Sequence, residues 1–572
     1  MKGFDKAKLY WDTVKYLKPV QIRHQIINRA FRGRKGRLLE GVRHLAAPEA
    51  QEVRIFIPEL DCEEEYLRRF DTEKLLDGRI KLLHEEHQVG KTWRIPEASH
   101  LWNYNLHYLE FLIPLAEKYR ETEEERYLDG WTEWVTGWLV QSGGDSFEPY
   151  TISMRIPNML ISMELMGKRI RGTELWQKAH TSIYRQYRYL LHAQELALLG
   201  NHYLENLKAI VISSLLFGEL DIYHKYFGLF LEELDGQILP DGMHFELSPM
   251  YHRIILEDVL RVYAVLDSCR HKGDAEKLLP VIRAMASAVT VLEKGFDRIP
   301  LFNDSGNNVA KGKDALLSAV AKICAYEKPG TGDLQHAGYY KLYQGSAAVL
   351  FDCGNIGPSY MAGHAHCDCL SFELGIGGKP LFSNSGTGQY QGELRTFFRS
   401  TAAHNTVMID DREQSQLWGE HRAGRRLGKP EGIRAKEGVA GRFTSYHGDL
   451  FQRRLQWEQI GVLAVTDILK ARDGGRHTAR QFLHLAPGYE YERAGKRQVS
   501  VKEGNEVIAS VYLPPGSGYL IHTEGVITNY AEDFGQLSRK QVLEIRTQFD
   551  SRVQLKTKIE IRKRKQETIT YG

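Results

Sequence analysis

Cysteine is scarce in this sequence: six in 572 residues, at Cys62, Cys269, Cys324, Cys353, Cys367 and Cys369. So few scattered thiols cannot staple a long chain, which excludes a disulfide scaffold and leads us to expect reduced cysteines. A charge surplus is missing too, because 76 Lys and Arg face 73 Asp and Glu for a formal +3. That balance argues against a nucleic-acid binder. No apolar run approaches the ~20 residues of a spanning helix, so no membrane span is expected. The opening MKGFDKAKLYWDTVKYLKPVQIRHQ carries Asp5, Lys6, Lys8 and Asp12, which break the apolar stretch a secretory signal requires. The chain as it begins therefore reads as cytoplasmic, or as periplasmic or secreted if a leader has been removed. Apolar matter is plentiful, at 42% hydrophobic and 10% aromatic. This excludes disordered and collagen-like classes and suits roughly two to four domains.

Three regions differ in pattern. Residues 1–95 mix a basic segment, Lys6 to Arg37, with RIFIPEL and a charged stretch, and are expected to lie against the domain that follows. The basic segment reads as a solvated helix packed through Tyr10, Trp11, Val14 and Leu17, or as a contact for acidic polysaccharide. From 96 to 330 apolar residues recur at helical spacing, as in Leu204, Leu207, Val211 and Leu215. Ile255, Val259, Val262 and Leu266 repeat the pattern, with Glu257, Asp258 and Arg261 turned away. Several such segments predict an antiparallel α/α array. Residues 331–572 switch to short β-rich runs such as SAAVLFDCG, CLSFELGIG and KTKIEIRKR, punctuated by GG, PPG and DGG. Helices first and strands after predict an α+β multidomain chain whose second part is an antiparallel β-sandwich, with the boundary in EKPGTGDLQHAG.

Polar residues capable of chemistry cluster at a few places. In GNHYLEN, Asn201, His202 and Glu205 open a helix whose free amides and dipole favour an anion such as a carboxylate, although an ordinary Asn cap gives the same pattern. HFELSPMYHR puts Tyr251 at the head of a second helix, as a packing residue or a group projecting into the same cavity. In AGHAHCDCLSFEL, His364 and His366 share one strand parity and Cys367 and Cys369 the other, which separates thiols from imidazoles and argues against a Cys/His zinc knot. The histidine pair, with His404 further on, fits a metal site or an acid/base site. Asn105, His107, Tyr150, Arg155 and Asn158 fall in loops of the array, where aromatic faces and oriented donors serve sugar clefts.

Taken together, NHYLEN, the Tyr251 helix, H-A-H-x-D-x-L-S-F-E-L and R-S-T-A-A-H-N-T-V resemble the heparinase II/III-like polysaccharide lyases. The resemblance runs through most of residues 100–430. It implies an incomplete α/α toroid followed by antiparallel β-sheets, and β-elimination at a uronic acid. Such a lyase takes the proton at C5, expels the group on O4 and leaves a 4,5-unsaturated uronate. By family position Asn201 and His202, with Glu205, would neutralise the uronate carboxylate, Tyr251 would protonate the leaving oxygen, and His364 would be the base for one epimer. Tyr251 would serve both roles for the other. Asn105, His107, Arg155, Tyr360 and Arg399 are the expected substrate contacts. An anionic polysaccharide such as hyaluronan, chondroitin sulfate or heparan sulfate is the expected partner.

The resemblance also implies one divalent metal, Zn or Mn, and no organic cofactor. His366 and His404 match two expected ligands. The third departs, since LFSNSGTG puts Asn384 where Asp is expected, and a neutral amide is the weaker ligand. Asp368 is the fallback. Alternatives are a lyase for alginate or a bacterial exopolysaccharide, and a non-catalytic polysaccharide-binding protein. An inverting glycosidase would need two carboxylates across the cleft, where the sequence offers Asn, His and Tyr.

Overall fold

A computed structural model describes residues 3–31, 33–141, 144–326 and 332–562. The periodic segments form helices in two layers. Leu112–Thr122, Pro149–Met166, Gly200–Leu216 and Pro249–Ser268 pack successively against one another. Glu125–Gln141, Glu174–Ala193, Leu220–Gln237 and Lys272–Glu293 back them. Burial separates the layers. Gly200–Leu216 buries every residue except His202, so the predicted stripe through Leu204 and Leu215 is only part of a wholly enclosed helix. Leu220–Gln237 buries Tyr223, Tyr226, Phe227, Phe230 and Leu234, the spacing of a one-sided amphipathic helix.

The stripe Ile255, Val259, Val262 and Leu266 is fully buried, but its polar neighbours do not face water as their spacing led us to expect. Arg261 grips Asp61 at 2.5 Å and the Ile55 carbonyl at 3.1 Å, while Lys208 bridges Glu205 and Asp258 at 2.5 Å each. Arg261 thus anchors residues 55–61 to the inner layer, and Lys208 ties two of its helices together. Among the described residues no helix is long and apolar enough to cross a membrane.

The last helix of this half is Lys313–Ile323, and, apart from the hairpin Arg79–Leu82 and Glu85–Gln88, strands begin at Tyr339–Gln344. The predicted boundary stretch, 327–338, begins with five residues outside the described ones. Beyond it lie an eight-stranded sheet centred on Leu450–Gln459, Val462–Lys470 and Arg552–Ile561, and two four-stranded sheets, all paired antiparallel. Their inward residues share one apolar core that joins Phe351 and Leu374 to Leu455, Ile559 and Leu543. Within it Arg453 makes a buried two-pronged bond to Asp467 at 2.7 and 2.9 Å and also caps the carbonyls of Leu370 and Asn405. The sheet thereby holds two loops that reach the junction of the halves.

The segment around His364 departs from expectation: no strand forms until Phe372–Ile376. The inferred separation holds nonetheless. Both histidines meet one carboxylate, whereas Cys367 donates to the Ser415 carbonyl and all six cysteines are free. At the other end of the chain, helices Gly3–Val14, Pro19–Ala30 and Arg34–Arg43 touch both halves rather than the helical array alone.

Candidate active site

Asn201, Tyr251 and His364 come from three separate elements and meet at the junction of the halves. The helix bearing Asn201 starts at Gly200, whose φ is +60°. An added Cβ would strike the Met361 side chain and the Glu246 carboxylate, so this start requires glycine. Asn201 is fixed by Glu246, to which its backbone N–H donates at 3.1 Å and its Nδ2 at 2.8 Å. The same Nδ2 lies 3.3 Å from His364 Nε2. Tyr251 follows Ser248, which caps the helix by accepting from the Tyr251 N–H, and Pro249 at the first helical position. Its ring lies 4.2 Å from that of His364, and its hydroxyl bonds the Tyr390 hydroxyl at 2.8 Å.

His364 is oriented from behind. Its Nδ1 bonds Asp304 Oδ2 at 2.9 Å, and Asp304 also holds His366 Nε2 at 2.9 Å, Thr387 at 3.3 Å and a two-pronged contact from Arg395. Burial alone would raise the Asp304 carboxyl, but the Arg395 guanidinium and the imidazole bonds hold it well below the ordinary range. An ionised carboxylate only accepts, so it places the His364 proton on Nδ1 and leaves a lone pair on Nε2, facing the Asn201 amide.

Beside them, His202 bonds Glu195 at 2.9 Å and stacks 4.6 Å from Tyr150, which in turn lies 6.2 Å from Tyr108. Burial opposes a charge on His202, but Glu195 outweighs it and raises the imidazole above its usual value. The Tyr251 phenol is raised by burial and stays protonated at neutral pH.

Several predicted contacts are corrected. Arg155 is wholly buried and donates to Gln186, the His107 carbonyl and the Ser146 carbonyl at 2.6–2.8 Å. His107 accepts from Trp138 and is pushed down to about 3 by burial. Glu205 is enclosed with Lys208, and Asn105 donates to Leu101 within its own helix. Arg399 gives its guanidinium to the carbonyls of Ala362, Ala365 and Glu420, so it shapes the His364 loop from beneath. Tyr360 lies partly exposed, under Lys18. Spacing cannot distinguish a guanidinium that faces a cleft from one that braces backbone carbonyls.

Glu195, Glu246, Asp304, Tyr390 and Arg395 escaped the sequence reading. The signal for Asp304 is the run NDSGNN straight after the apolar RIPLF. Such a polar run folded inward marks buried hydrogen bonding rather than a surface turn.

Ligand atoms of His366, Asp368 and His404 all lie within 4.8 Å of one another and are buried. His366 Nδ1 and both ring nitrogens of His404 have no hydrogen-bond partner among the described residues. Burial lowers both imidazoles, so they are neutral donors. Two neutral imidazoles and a carboxylate fit Zn or Mn. Asn384 is instead tied into the protein, its Oδ1 accepting from Asn405 N–H at 3.0 Å, so Asp368 stands as the third donor. A bound ion would supply a cross-link between the His366 loop and His404.

A two-layered helical array joined to an antiparallel β-sandwich, with Asn, Tyr and His converging between them, defines a toroid-and-sandwich protein. The chain belongs to the heparinase II/III-like family: the heparinase II/III N-terminus model matches residues 70–325 and the heparinase II/III-like C-terminal model residues 327–567. A heparin-sulfate lyase of Bacteroides thetaiotaomicron is 23% identical over 368 residues, 55% of this chain and 52% of that protein. The FtsZ-localized protein C of Caulobacter vibrioides is 27% identical over 184 residues, 31% of this chain and 30% of that protein. Among solved structures, heparinase III superposes with a TM-score of 0.72 at 18% identity, covering 92% of this chain and 89% of that one. The chain matches about half the length of the heparin-sulfate lyase, while the fold is shared almost throughout.

Proposed function

We propose that the protein is a polysaccharide lyase that cleaves a uronate-containing glycosaminoglycan by β-elimination. The observation that carries this reading is the meeting of the Asn201 amide, the His364 imidazole and the Tyr251 phenol at the junction of the halves. The C5 proton of a uronate is weakly acidic, so its removal needs the adjacent carboxylate neutralised and a base within ~3 Å. The Asn201 amide, with one Nδ2 hydrogen left beside its bond to Glu246, and His202, raised by Glu195, supply the neutralising donors. His364, carrying its proton on Nδ1, offers Nε2 as the base. Tyr251, protonated, delivers its proton to the departing O4, and Tyr390 holds the hydroxyl in place. Tyr108 and Tyr150 present aromatic faces to sugar rings.

These assignments make His364 the base and Tyr251 the acid. The name of the heparin-sulfate lyase relative and the near-complete likeness to heparinase III favour a glycosaminoglycan over alginate or a bacterial exopolysaccharide. The test is ultraviolet absorbance of conjugated uronate with purified protein on hyaluronan, chondroitin sulfate, heparan sulfate and alginate. A rise on one of the first three identifies the substrate. A rise on alginate alone moves the assignment to that polymer, and no rise on any removes the reading.

A further inference from the structure

Residues 5–45 cross from one half of the molecule to the other. On the β side Leu9 is buried against Gly424, Tyr10 meets the Trp418 ring edge-on at 5.3 Å, and Trp418 Nε1 donates to Thr13 Oγ1 at 2.9 Å. On the helical side Arg34 donates to the His192 carbonyl, and Arg185 to that of Leu45. Between these anchors the chain passes over the place where the two catalytic loops approach each other. The buried Gln21 donates from Nε2 to the Leu198 carbonyl at 3.0 Å and to the Tyr360 carbonyl at 3.4 Å. Lys18 Nζ sits 4.0 Å above the Tyr360 ring.

Leu198 precedes Asn201 by three residues, and Tyr360 precedes His364 by four. At ~3.3–3.6 Å per residue these stretches are at most about 14 Å long, so Gln21 stands within a few sugar residues of the reacting groups. Met361 fills the intervening space, since a Cβ on Gly200 would lie 2.2 Å from its methyl carbon. The helical loop and the β loop therefore touch at this end. Gln21 ties them together, and Lys18 leaves an exposed cation at the closure.

We infer that the N-terminal helices are a strap that closes one end of the cleft, so that the protein removes short fragments from chain ends of anionic uronate polymers. Where bonded loops and an overlying helix bridge the two halves beside the site, a long polysaccharide cannot run through on that side. The site admits a chain end, and Lys18 offers an opposite charge to the carboxylates there. This inference rests on the lyase reading and adds to it the manner of attack.

The experiment follows the wild-type protein on hyaluronan, chondroitin sulfate and heparan sulfate, recording ultraviolet absorbance and product size by gel filtration in the same samples. End-wise action gives absorbance that rises with only the smallest products, while the remaining polymer keeps its length. Early collapse of polymer length, with fragments of intermediate size, overturns the strap while the absorbance upholds the lyase. No absorbance on any polymer overturns both. A Lys18→Ala/Gln21→Ala double variant, checked by circular dichroism, is expected to increase intermediate-sized products several-fold. An unchanged size distribution in that folded variant would count against the strap.

Discussion

In the proposed reaction Tyr251 and His364 divide the proton work through their surroundings. Burial keeps the phenol protonated, and Asp304 keeps the imidazole proton on Nδ1. Tyr251→Phe is therefore expected to lower kcat by roughly a hundred- to ten-thousand-fold while oligosaccharide binding, measured by calorimetry, stays near the wild-type value. A variant that kept its turnover would move the acid elsewhere. Asp304→Asn removes the charge that fixes the tautomer, and its kcat should fall at least ten- to a hundredfold. Asn201, Tyr251 and His364, the groups proposed for the chemistry, were legible because two of them open helices and the third sits in the H-A-H run. The groups that orient them were not, because Glu246 and Asp304 act through contacts across 45 and 60 positions of sequence. Other buried histidines set a pH limit. His107 and His252 are each pushed down to about 3, chiefly by burial. Between the unfolded value near 6.5 and that figure the unfolded chain binds more protons, so stability falls as pH falls. Each group contributes ~1.4 kcal/mol per pH unit in that window. Thermal melts from pH 7 to pH 4 should show the decline, and His252→Gln should flatten it.

Helices and strands were the most legible elements, since the period of the apolar pattern reports which face is buried. The exceptions are instructive. Gly200–Leu216 shows a stripe but is enclosed on all sides, because a second helical layer covers what periodicity assigns to water. On Pro249–Ser268 the polar positions turn inward to buried ion pairs, which the pattern of charges alone cannot distinguish from a solvated face. Arg261→Ala would take the two-pronged guanidinium from buried Asp61, leaving it only the Ile57 N–H at 2.8 Å and Lys311 at 3.9 Å. The expected loss is about 3–5 kcal/mol in chemical denaturation. A loss below 1 kcal/mol would mean that the pair adds little beyond its neighbours.

Across the whole molecule the two halves and their order followed from composition, whereas their junction did not. His366, Asp368 and His404 belong to loops that only the assembled sandwich brings together. Adding Zn or Mn to chelator-treated protein should raise the melting temperature, by up to ~2.7 kcal/mol of stabilisation at a hundredfold excess over Kd. His404→Ala should abolish the rise, and an equal rise in that variant would place the ion elsewhere. The strap has a further consequence, in time. Thr13 and Trp418 bond across 405 positions of sequence. At ~5–20 residues per second of synthesis, Thr13 waits roughly 20–80 s after leaving the ribosome for its partner to be made. Throughout that interval Leu9 and Tyr10 of the first helix have no β half to rest on, while Trp11 stays exposed even in the finished fold. The strap can therefore dock only once the β half has been made, as one of the last steps of assembly.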